Sequence, residues 1–418
     1  MIAVSPAWGK RAGRYGLALA AAAGKLRADN KTHGRENMYG RFGPRTLERI
    51  TSRRRMLQGT GAVAAGALAA GALPRPTKAQ DNVLTLLSWP GYADPAVIGP
   101  FEEASGIKIV AKEYTGGDNM LALVNSSPPG TFDLILSDAE YVHMLREADA
   151  LVDLNPEDYK LADFWPEFQK FPGLWDGDKM SAVMTSFGYL GMTYNAEKLT
   201  RDEMKSYKIM WDEKVKGKVG LYDWYLPGML CLSLYDGNKP PYDITDEQFA
   251  KLKETLFSLK PQVVGVGAFA QSFSMLSQGE AWIMPGTGAW LTLLLKKDGV
   301  PVDDIVPDEG GLQWSEAMGI AKASAKQDLA KKFLQYMAGP EGQIRVAIKP
   351  AYSGSIPNKA AWTKLAADHA DWARLLLHEL DKPNVMDEYK KGKIFIRDLP
   401  KQQSLEDWNQ AYTEFKNL

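Results

Sequence analysis

A chain of 418 residues, 45% hydrophobic and 24% charged, is long enough for more than one hydrophobic core and is neither fibrous nor low in complexity. Its net charge of −1 hides an asymmetry: residues 1–80 carry 15 of the 50 Lys+Arg and 3 of the 51 Asp+Glu, which leaves 35 bases against 48 acids. That acidic body disfavours nucleic acid and anionic membrane as partners, and one cysteine with four histidines gives no material for a disulfide, an iron-sulfur cluster or a structural zinc. No cofactor and no metal are expected.

The first 79 residues read as a leader. Ser52-Arg53-Arg54-Arg55-Met56-Leu57 precedes a weakly apolar, Ala/Gly-rich run from Gly59 to Leu73, too short and too weakly apolar for a spanning helix. Paired arginines ahead of such a run are what the twin-arginine translocase reads, and Lys78 disfavours the unfolded-chain route. Cleavage is expected near Ala79, within Thr77-Lys78-Ala79. Met38 is an alternative start to Met1. A basic disordered arm ahead of a buried Ala/Gly helix is the competing interpretation.

Beyond the leader the pattern is α/β. Val83–Leu87 is a short apolar strand, and Asp94-Pro95 opens a helix as N-cap and first-turn proline. Gly106 ends that helix before a second strand, Ile107–Val110. Asp133–Leu136 is a third, buried strand ahead of a helix over Ala139–Ala148. Later, Leu329, Phe333 and Tyr336/Met337 recur with helical spacing up to Gly339-Pro340. Apolar runs alternating with amphipathic segments imply a sheet covered by helices on both faces.

The order of motifs resembles a known family. Leu86-Leu87-Ser88-Trp89-Pro90-Gly91-Tyr92, Phe101-Glu102-Glu103-Ala104-Ser105-Gly106-Ile107 and Phe132-Asp133-Leu134-Ile135 open the series. Gly188–Asn195, Trp211-Asp212, Lys216-Gly217-Lys218-Val219, Gly279-Glu280-Ala281, Pro307–Gly311 and Ile356-Pro357-Asn358 continue it. Together they are similar to the periplasmic solute-binding proteins of ATP-binding-cassette (ABC) importers, specifically the spermidine/putrescine-binding group. The resemblance spans about residues 82–360. It implies the type II two-lobe fold, with hinge crossovers near Thr185–Gly188 and Met284–Gly286 and a return near Gly319. Lobe I would then hold residues 80–185 and 287–318, and lobe II residues 186–286 and 319–418.

In such a fold the ligand sits between lobes at the carboxyl ends of the strands. Trp89 and Tyr92 follow the first strand in a turn with Pro90 and Gly91, and in the resembled group this Trp-x-x-Tyr pair lines the amine site. Ser137, Asp138 and Glu140 follow the third strand, either as caps of the next helix or as a polar grip on a cationic ligand. Asp223 matches the first acid of the family's second-lobe motif, but Trp224 and Pro227 stand where further carboxylates are usual. Thr287 and Trp290 lie in Gly286-Thr287-Gly288-Ala289-Trp290, where a tryptophan followed by acids is usual. Trp314 and Glu316 are expected on a strand returning to the cleft, and Tyr352 is a weaker candidate.

An extended polyamine needs several buried carboxylates, so fewer acids among many rings suit a single cationic or amphipathic head better. The implied function is capture of a small polyamine-like, betaine-like or opine-like solute, without catalysis, for delivery to an inner-membrane ABC permease. A periplasmic monomer is expected. The alternatives are an exported enzyme, a hydrolase or cofactor protein, or a sensor-type binding subunit. Gly265-Val266-Gly267-Ala268-Phe269-Ala270 fits a dinucleotide fingerprint only loosely, and no Gly-x-Ser-x-Gly elbow occurs.

Overall fold

The computed structural model describes residues 82–375 and 392–418, so the leader with its arginine motif lies outside the described residues. Strand β1 (Val83–Ser88) runs into Asp94, whose carboxylate accepts the Ala96 N–H at 2.8 Å and starts helix α1 (Pro95–Ser105). Gly106 closes the helix at φ 69°, a left-handed turn that a glycine enters without a Cβ clash. Strand β2 (Lys108–Glu113), helix α2 (Gly117–Ser126), strand β3 (Leu134–Asp138) and helix α3 (Ala139–Glu147) follow. All five residues of β3 are buried, because a strand covered on both faces needs no polar alternation.

After a small hairpin, β4 (Trp175–Asp176) and β5 (Lys179–Met180), comes the long strand β6 (Val183–Asn195), buried along its whole length. Strands β7 (Val219–Tyr222), β8 (Val263–Gly267), β9 (Ile283–Thr287), β10 (Val302–Ile305), β11 (Gly311–Ile320) and β12 (Ile394–Ile396) complete the main sheet. Its order is β2-β1-β3-β11-β6-β9-β7-β8, with β10 beside β6 and β12 beside β11.

Strand β6 changes partners midway. Val183 to Leu190 pair antiparallel with β11, whereas Gly191 to Tyr194 pair with β9, and Met192 to Asn195 also with β10. The switch falls at Gly191, where a Cβ would meet the Ile305 carbonyl oxygen at 2.1 Å. Two half-sheets result, joined by β6 and by the return segment between β10 and β11.

Packing departs from the expected boundaries. Met284–Gly286 lies within β9 as an ordinary sheet strand of the second half, and the chain stays there through helix α6 (Ala289–Lys297) and β10. Thr193 and Thr292 hydroxyls bond at 3.0 Å, and Lys296 pairs with Asp303. Residues 289–305, expected with the first lobe, therefore cover the second half-sheet. Helices α7 (Gln327–Ala338) and α8 (Pro340–Ala347), expected with the second lobe, lie against α1: the Phe101 ring meets Phe333 at 5.0 Å, and the Tyr336 hydroxyl donates to the Val97 carbonyl. Strands running antiparallel carry the chain back one element later than the motif spacing suggests. The C-terminal helix α9 (Leu405–Asn417) does pack on the second half, on α4 (Tyr225–Tyr235), and Tyr412 donates to the Tyr222 carbonyl at 2.7 Å.

Candidate functional site

A small cavity of ≈ 60 Å³, partly open to solvent, lies where β1, β3, β7 and β9 end and the two half-sheets meet. Strand ends from both halves place side chains there because successive loops leave the sheet on one side. From the first half come Trp89 and Asp138, from the second Tyr222, Trp224, Phe269 and Trp290, and from β11 Trp314 and Glu316.

The rings form a continuous lining. Trp89 lies 5.6 Å from Trp224 and 5.0 Å from Tyr114, centroid to centroid, and its indole N–H donates to Asp138 Oδ2 at 3.2 Å. Trp290 stacks on Phe269 at 5.5 Å and meets Tyr222 at 5.9 Å. Trp314 fits a slot between two glycines: a Cβ on Gly188 would approach its ring to 2.6 Å, and one on Gly354 to 2.8 Å. Gly188→Val should thus push Trp314 into the cavity, costing about 1–3 kcal/mol of stability and weakening any ligand; calorimetric titration beside thermal melting checks this.

The charges come in two clusters. Asp138 and Glu140 share the buried guanidinium of Arg397, each at 2.5 Å. Glu316 accepts from the Tyr92 and Tyr352 hydroxyls, and its field acts on buried Lys349, whose Nζ lies 3.6 Å from the Tyr352 ring centre. Burial raises Asp138 and Glu316 above the usual carboxylate range, and pushes Glu140 up to about 8. Burial also lowers Lys349 to about 8. Arg397 is desolvated too, but the two carboxylates more than offset this and hold it charged.

A carboxyl raised in the folded state binds protons that the unfolded chain has released. The Glu140 contribution is therefore complete below about pH 4.5 and is lost as pH climbs through about 8. Lys349 runs oppositely: its contribution is present above about 10.5 and is lost as pH falls through about 8. Glu140→Gln should accordingly flatten the decline of melting temperature between pH 4.5 and 8, read by differential scanning fluorimetry. An unchanged slope would refute the assignment.

The sequence-predicted residues divide. Trp89, Asp138, Trp224, Trp290, Trp314 and Glu316 line the cavity, as does Tyr352. Tyr92 stands behind Glu316, fully buried, and also bonds Thr185. Ser137 is turned into the sheet, its hydroxyl on the Asp138 carbonyl, and Asp138 makes no side-chain cap on α3. Glu140 is held by Arg397. Asp223 pairs with Lys416 at the surface, and Thr287 bonds Thr193 and the Met284 carbonyl. Sequence reasoning missed Arg397, Tyr222 and Phe269.

Residues 96–375 match the family model described as bacterial extracellular solute-binding protein. The chain belongs to that family. Its relatives include the spermidine/putrescine-binding periplasmic protein of Escherichia coli K12, 23% identical over 317 residues, covering 74% of this chain and 87% of that protein. The gamma-aminobutyric acid-binding protein of Pseudomonas aeruginosa is 26% identical over 294 residues, covering 67% and 80%. Among solved structures, a putative spermidine/putrescine ABC transporter protein from Listeria monocytogenes superposes with TM-score 0.68 at 21% identity, covering 80% of this chain and 99% of that one. The shared fold is the two-lobe solute-binding architecture expected from the sequence. In this solute-binding protein, Arg397 lies beyond the matched region.

Proposed function

We propose that this chain is the substrate-binding component of an ABC importer and takes a small cationic or polar nitrogenous solute into the cleft between the half-sheets. The observation that carries this reading is a cavity walled by indole rings from both halves, with Glu316 and the Asp138–Arg397 pair also in its lining. A cation on an aromatic face gains about 0.5–2 kcal/mol, more when water is excluded. The relatives named for spermidine, putrescine and gamma-aminobutyric acid all take nitrogenous compounds, which supports the solute class.

The lobes in this reading are residues 82–190 with 311–375, and 191–310 with 398–418. Solute bridging them favours the closed form, and that form is what a permease would select. Trp89, Trp224, Trp290, Trp314, Asp138 and Glu316 would contact solute, with Tyr92 orienting Glu316. Export by the twin-arginine route, release of the leader near Ala79 and a monomer in the periplasm belong to the same proposal.

A thermal-shift screen of amines, amino acids, betaines, opines and sugars tests it, since a ligand confined to the folded state must raise Tm. Stabilisation by a nitrogenous compound, lost in Trp89→Ala, is the expected result. Stabilisation by sugars alone would refute the solute class, and conversion of a bound compound to product would refute the binding-protein reading.

A further inference from the structure

The C-terminal segment passes from one half of the molecule to the other at Arg397. Its backbone N–H bonds the Gln313 carbonyl at 2.8 Å, continuing the pairing of β12 with β11. Four residues on, the chain is fastened to the second half: the Lys401 N–H donates to the Tyr242 carbonyl at 2.9 Å, the Gln403 amide donates to the Ile244 carbonyl at 2.8 Å, and α9 then packs on α4. The Arg397 side chain goes the other way. Its Nε donates to Glu140 Oε1 and its Nη2 to Asp138 Oδ1, at the start of α3 and the end of β3 in the first half, with all three side chains at most 3% exposed. The guanidinium carbon also sits 4.8 Å from the centre of the Trp224 ring, so the cation is held between two acids of one half and an indole of the other.

A buried ionic contact favours closure only where its members are well hydrogen-bonded, because desolvation otherwise exceeds the attraction. Here each carboxylate meets its own nitrogen of the guanidinium fork, and Asp138 Oδ2 takes the Trp89 indole N–H at 3.2 Å as well. Opening the cleft would pull Arg397 from both acids at once, or else strip the segment behind it from Tyr242 and Ile244. The two halves are thus drawn together at this end by the chain's own groups. A cleft shut beforehand charges its solute less for closure, and it exchanges that solute slowly because opening has to come first.

We propose that Arg397 is an interlobe lock: anchored to the second half by the segment that follows it and gripped by Asp138 and Glu140 of the first, it holds the cleft shut before any solute enters. The inference rests on the reading of the two halves as hinged lobes.

Distances between nitroxide labels on the full chain, free of solute, test it. Lys112→Cys in β2 and Ala270→Cys in the helix Phe269–Ser277 give one exposed label on each half, and the native Cys231 is fully buried. With Arg397 in place, the short distance of the shut cleft should predominate. In the triple variant Arg397→Met with Asp138→Asn and Glu140→Gln, which strands no charge, the ratio of short to long distances should fall at least about 10-fold. A triple variant as closed as the unaltered chain would overturn the lock, since the rings alone would then hold the halves. So would opening in Arg397→Met that the two amides reverse, since stranded acids would then be the cause, and so would long distances predominating before any substitution. Should the triple variant not fold, Arg397→Lys takes its place: it keeps the charge but gives up the two-armed fork, and must move the ratio the same way by at least about 3-fold. An unmoved ratio overturns the inference. Because no solute enters the measurement, its failure leaves the solute class to the thermal-shift screen, and a silent screen leaves the lock to be judged by the distances.

Discussion

Arg397→Leu is expected to lower the stability of the ligand-free protein by about 3–5 kcal/mol, because it strands two carboxylates that are buried beside one another. Tm should fall by at least about 5 °C in a chain of this size. The loss has a pH signature. Without the guanidinium the carboxyls can stay folded only by taking protons, so the deficit should shrink as pH falls and deepen as it rises. Adding Asp138→Asn and Glu140→Gln should restore most of the loss, since neutral amides of similar shape need no counter-charge. A deficit that is equal at pH 5 and pH 8, or unaffected by the amide pair, would show that Arg397 acts through packing on Trp224 instead of through charge.

Trp224→Ala is expected to do the reverse, leaving the ligand-free fold nearly intact and removing most of the binding. Its ring reaches across the cleft: it touches Trp89 of the first half, backs Arg397, and lies over Gly116, where a Cβ would come within 3.1 Å of it. These contacts exist only when the two halves are together, so they contribute to the closed state and little to either half alone. Truncating a central aromatic anchor of this kind costs about 2–4 kcal/mol of binding, a loss of about 30- to 1000-fold in affinity. Titration against the best solute from the screen, with Tm measured in its absence, separates the two effects. A large fall in ligand-free Tm with affinity retained would remove Trp224 from the site.

Arg397 and Trp224 mark the two ways in which residues enter this site. Trp89 follows β1 directly, Asp138 is the last residue of β3 and Trp224 stands two residues beyond β7, so the strand-end rule finds them from local pattern alone. Trp314 and Glu316 were legible through the motif that precedes them, because β11 carries them to the cavity in register with β6 and β3. Ser137, Asp223 and Thr287 occupy equally suggestive places in the sequence, yet one is turned into the sheet, one faces the surface and one is sealed by Thr193. Which side of a strand or loop a residue takes depends on the partner strand, and one position of offset reverses it.

The amino-acid sequence by itself determined the alternation of strands and helices, the caps at Asp94 and Gly106, the family, and the rings that stand where the resembled group carries acids at Trp224 and beyond. Those are local or ordered features, written in residue type and spacing. Tertiary structure alone decided what the acids are for. Asp138 and Arg397 lie 259 residues apart, and Tyr92 and Glu316 lie 224 apart, and nothing in either neighbourhood names its partner. Only the pairing of β12 with β11, beyond the region the family model covers, brings a guanidinium to that carboxylate pair. The charge a solute meets there is the net result of groups that meet only after the sheet has closed.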